Sequence, residues 1–81
     1  MKLFLLERTD YIQWDMYISF IVCAEDEESA KNLMPGDDGE AVPFNKTNQY
    51  WVRSKSKIKC TELGTANEGI EQSIILSSFA S

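Results

Sequence analysis

The chain reads as an α+β fold: an antiparallel sheet of about four strands with one short helix on one face, in the order β-β-α-β-β. Three observations lead there. Separate stretches rich in Ile, Val, Leu, Phe and Tyr are each of strand length. One acid-led segment, Asp26-Glu27-Glu28, is followed by Ala30, Leu33 and Met34 at helical spacing. Most glycines and both prolines fall between these segments. A chain of 81 residues has room for one core, so residues 1–81 are read as a single domain.

Lys2 to Arg8 is short, apolar and bounded by charge, as a buried strand is. Residues 9–15 form a polar connection carrying Tyr11 and Trp14, and Met16 to Ala24 is the richest β stretch. Together they predict an antiparallel hairpin with a long loop. Asp26 is a natural N-cap, and Glu27 and Glu28 place negative charge where the helix dipole favours it. The spacing predicts a helix over 27–34, ended by Pro35-Gly36. Gly36 to Asn48 reads as a long loop, after which Tyr50-Trp51-Val52 returns to the core. Lys57 to Leu63 alternates charged and apolar residues, so Ile58 and Cys60 should face inward and Lys57 and Lys59 outward, with Gly64 ending the strand. Ser73 to Phe79 supplies a final strand. The sheet face away from the helix is left to the long loops or to a partner.

The charge is polarised. Nine of the thirteen acids lie between Asp10 and Asn45, where Lys31 is the only base. The bases concentrate in the run Arg53-Ser54-Lys55-Ser56-Lys57-Ile58-Lys59. A net charge of −5 argues against direct nucleic-acid binding, which needs Lys and Arg in excess. The apolar run Leu3 to Leu6 is four residues, short of the roughly 7–15 of a signal peptide, and no stretch suits a membrane span. The expected setting is cytoplasmic. Cys23 and Cys60, in a chain without histidine, cannot form a usual structural zinc site, and in a reducing compartment they are expected as small buried hydrophobes.

Catalytic signatures are absent. Gly36-Asp37-Asp38-Gly39 lacks the Gly-Lys-Ser/Thr ending of a phosphate loop, and Asp37, Asp38 and Glu40 lack the spacing of a calcium loop. No catalytic residue, metal ligand or cofactor is expected, and the protein is read as a non-enzyme. The candidate partner-binding residues are Glu25, Glu27, Glu28, Asp37, Asp38 and Glu40, one negative surface spread over the helix start and the loop beyond, together with Trp14 and Asp15. Capping explains Asp26, Glu27 and Glu28 without help, but it does not explain the acidic loop that follows. Trp14, Tyr17 and Trp51 are aromatic candidates, because Trp and Tyr are enriched at binding hot spots.

Several segments carry a resemblance. Trp14-Asp15-x-Tyr17-x-Ser19 leads into Ile21-Val22-Cys23-Ala24-Glu25, then Glu28-x-Ala30-Lys31 and Pro35. Trp51, Ile58 to Ala66 and Ile75-Leu76-Ser77-Ser78-Phe79 follow. This pattern resembles a group of small uncharacterised proteins of phages and prophages. The likeness implies an α+β fold and carries over no active-site residue. By analogy of size, charge and apparent origin, it suggests a phage-encoded inhibitor of a bacterial defence complex, of the anti-CRISPR type, acting in the host bacterial cytoplasm. Such an inhibitor would occlude a basic nucleic-acid-binding surface, on a Cas or other nucleic-acid-handling complex. The alternatives are a homodimeric phage or bacterial adaptor, and a small pocket protein holding an anionic ligand between Trp14, Tyr17 and the bases at 53–59.

Overall fold

The computed structural model describes residues 1–11, 16–36, 40–48, 50–66, 69 and 73–80, with backbone alone for 76–80. In chain order the elements are β1 (Lys2–Arg8), β2 (Met16–Ala24), α1 (Glu27–Lys31), β3 (Leu33–Pro35) and β4 (Ala41–Pro43). A turn of 3₁₀ helix at Lys55–Lys57, β5 (Ile58–Thr65) and β6 (Ser73–Ala80) follow. The main sheet is four-stranded, antiparallel and ordered β5-β1-β2-β6. The expected N-terminal hairpin is its centre, with Leu5 opposite Ile21 and Leu3 opposite Cys23.

Two local expectations are corrected. The helix stops at Lys31, short of residue 34, because the Asn32 N–H closes onto Glu28 and Ser29 carbonyls while the Asn32 carbonyl accepts the Phe44 N–H at 2.7 Å. Leu33, Met34 and Pro35, the expected end of the helix, instead pair with Pro43, Val42 and Ala41 of the expected loop as a second, two-stranded sheet. Ala30, Leu33 and Met34 are all buried, so their spacing marked the core correctly, with Ala30 in the helix as expected and Leu33 and Met34 in a strand instead. Gly64 does not end β5. It lies at an irregularity opposite Leu3, with φ +156°, a conformation that side chains rarely adopt.

Alternation along the strands separates two faces. Phe4 and Leu6 of β1, Phe20, Val22 and Ala24 of β2, and Ile58 of β5 are buried beneath Ala30, Leu33, Met34, Trp51 and Val52. Trp51 is fully buried and meets Phe20 edge-on, with ring centroids 4.8 Å apart. Asn48 seats this segment: its side-chain oxygen accepts the Trp51 and Tyr50 N–H groups, and its amide donates to the Asn45 and Val52 carbonyls. The opposite face carries Leu3, Leu5 and Ile21, half-buried; Leu63 and Ile75, exposed, stand at register irregularities of the outer strands and outside the core cluster. Cys23 on that side is sealed, with the Met1 sulfur 3.8 Å from its own.

Candidate partner-binding surface

The turn from β2 into α1 holds the acids that sequence reasoning singled out. The Asp26 carboxylate accepts the Ser29 N–H at 2.8 Å, and that hydrogen bond lowers its pKa below the ordinary 3.8. Asp26 is therefore a cap. Glu25, Glu27 and Glu28 are exposed around it. Glu27 reaches Lys31 one turn on, at 3.9 Å, whereas Glu25 and Glu28 make no ion pair among the described residues. Glu27 and Glu28 line a shallow cleft of about 310 Å³ with Lys31, Asn32 and Lys55. Lys55 hydrogen-bonds the Asn32 side chain and lies 5.5 Å from the Phe44 ring centroid.

Glu40 belongs to a different cleft, of about 420 Å³, bordered by Met34, Pro35, Gly36, Val42 and Tyr50. Its backbone closes the β3–β4 turn through the Gly36 N–H, 2.7 Å from the Glu40 carbonyl. Its carboxylate covers Gly36 so closely that a Cβ there would collide with it. Asp37, Asp38, Trp14 and Asp15 lie outside the described residues. Of the expected negative surface, the described part thus comprises Glu25, Glu27 and Glu28 at the start of α1, and Glu40 beside a separate cleft. Lys31 and Lys55 interleave with the first group, because the one-turn 3₁₀ segment brings the basic run back beside α1.

Trp51 is not an exposed hot spot, since its ring is the centre of the core. Its indole N–H finds no partner among the described residues. Of the bases at 53–59, Lys55 lines a cleft that two glutamates share, and the alternative pocket of Trp14, Tyr17 and these bases falls in part on Trp14, outside the described residues. The thiols are free. Burial pushes Cys60 up to about 11, with the Glu27 charge adding to the shift, so this thiol is a poor nucleophile near neutral pH.

Sequence reasoning missed Arg8. Its side chain is 1% exposed, placed 5.9 Å from the Trp51 ring centroid and 5.5 Å from that of Tyr11. It grips Asp10 through two hydrogen bonds of 2.7 and 3.0 Å and donates to the Tyr17 carbonyl at 3.1 Å. The guanidinium holds the Asp10 carboxyl below the usual carboxylate range. This clamp ties both ends of the β1–β2 connection, the segment that carries Trp14 and Asp15, to the core. A charged residue ending an apolar strand was the only sequence signal, and it reads equally well as a solvent-facing terminus.

No family model, curated protein or solved structure matches the chain. The phage-type likeness stands on its quoted residues alone. No described helix is long and apolar enough to cross a membrane.

Proposed function

We propose that the protein is a non-enzymatic binding protein that docks on a basic protein surface through the acidic start of α1. The observation that supports this reading is the division of labour within one turn. Asp26 satisfies the helix end, and Glu25 and Glu28 project beside it without an ion pair among the described residues. Exposed carboxylates of this kind accelerate encounter with a positive surface and set its orientation. On this reading Asp37, Asp38 and Glu40 supply a further acidic contact, with Glu40 beside a separate cleft. Trp14 and Asp15 supply a second contact on the loop that Arg8 anchors. The narrower form, a phage inhibitor covering the nucleic-acid groove of a Cas or similar defence complex in the bacterial cytoplasm, rests on the sequence resemblance and the acidic charge.

The test is capture of a purified nucleic-acid-handling complex by the immobilised protein, with and without Glu25, Glu27 and Glu28 changed to Lys. Binding should fall at least ~10-fold in the triple variant and weaken as salt rises. Binding indifferent to both would remove the acidic surface as the mechanism.

A further inference from the structure

The sheet face away from α1 has a chemistry of its own. Among the described residues, α1, β3, β4 and the Trp51 segment all pack on the other side. Leu3, Leu5 and Ile21 form a central apolar row, flanked on β5 by Leu63 and on β6 by Ile75, each 50% exposed. Leu63 and Ile75 sit at the register irregularities of the two outer strands. An unpaired residue there adds side-chain relief to the face. The charges that alternation assigns to this face are Glu7 and Lys59, which are opposite one another in register. Among the described residues this face thus carries one acid matched by one base, while the chain carries −5.

We infer that this face is a self-association surface, on which a second copy of the chain packs sheet to sheet. Charge selects the occupant. Two copies of an acidic chain repel through most of their surfaces, but here they meet across an apolar patch holding one acid and one base, so isologous contact brings no unmatched charge together. Size sets the strength: four strands spaced ~4.8 Å and about seven residues long present a footprint near ~440 Å² per copy before relief. The two copies would bury about 900 Å² before side-chain relief, just under the ~1,000 Å² that a specific interface clears, which fits an association of moderate affinity. Edge-to-edge pairing is disfavoured at β5, where Lys57 and Lys59 and the irregularity at 62–64 guard the edge. In the resulting sandwich both α1 helices lie on the outer surfaces, leaving Glu25, Glu27 and Glu28 of each copy open.

The test is sedimentation equilibrium of the purified chain from about 1 µM to about 1 mM, a range that spans moderate affinities, with wild type, Leu63→Lys, Ile75→Lys and Glu28→Lys. Wild type should move from 9.2 kDa to twice that mass. Leu63→Lys and Ile75→Lys should each raise the dissociation constant by ~10-fold or more. Glu28→Lys should leave it unchanged. Both face variants alter exposed positions, and an unchanged circular dichroism spectrum establishes that they fold. A wild-type chain that stays monomeric throughout overturns the inference, even if the face binds a hydrophobic dye, since the face then serves another partner. A dimer that survives both face substitutions also overturns it. Because no partner is present, failure here leaves the acidic-surface reading untouched, and failure of partner capture leaves the dimer untouched.

Discussion

The two faces of one sheet have been treated differently. On the helix side, Phe4, Leu6, Phe20 and Val22 are at most 3% exposed, because Ala30, Leu33, Met34, Val42, Trp51 and Val52 pack over them. On the other side, Leu63 and Ile75 remain 50% exposed and Met1 is the cover over Cys23. The same strands supply both sets by alternation, so the difference lies in the chain available to cover them. Among the described residues, α1, β3, β4 and the Trp51 segment supply that cover to one face. Burial on one side holds the fold, and exposure on the other is open to association.

The sharpest test of that contrast is Trp51→Ala, which empties the roofed core and should cost about 3–5 kcal/mol by urea denaturation. Arg8→Met comes next. It leaves Asp10 without its charge partner and frees the loop, at about 2–4 kcal/mol. The same clamp predicts a pH dependence. Asp10 titrates below 3.8 in the fold, so its stabilisation is complete above that value and is lost as pH falls through the lower, folded one. Denaturation midpoints should therefore drop in acid, and the drop should be smaller in Asp10→Asn. Asn48→Ala, which removes four hydrogen bonds around the Trp51 segment, should cost about 1–3 kcal/mol. Leu63→Ser on the open face should shift stability by less than about 0.5 kcal/mol in dilute protein. A large loss there would mean that the face is covered within one copy.

Much of the architecture was legible because it repeats at short range. The charge-bounded apolar run of Lys2–Arg8, the β-rich run of Met16–Ala24 and the cap at Asp26 are written into neighbouring residues, and those strand bounds and that cap agree with the structure. The β3–β4 hairpin was not legible: three-residue strands hold too little periodicity, and each ends in proline, which a strand tolerates at its margin. Ala30, Leu33 and Met34 fit a helical stripe equally well, and only the distant Val42 and Phe44 decide between the two. The surface was less legible still. Glu28 and Lys55 are 27 positions apart yet share a cleft, and Arg8 finds Trp51 across most of the chain. Local charge runs therefore described composition correctly and neighbourhood poorly.

The strand order β5-β1-β2-β6 also has a kinetic meaning. The two central strands are joined by residues 9–15, the shortest connection in the main sheet that reaches a paired neighbour. Each outer strand must instead close a much longer loop: β5 against β1, and β6 against β2. Assembly is expected to begin at the hairpin and grow outward in both directions. Stopped-flow refolding checks this: truncating Leu5 or Ile21 to Ala should slow folding, whereas truncating Ile58 should mainly speed unfolding. On this route the open apolar row is made of the first side chains to be aligned, and it is already in place before the roof over the opposite face has closed.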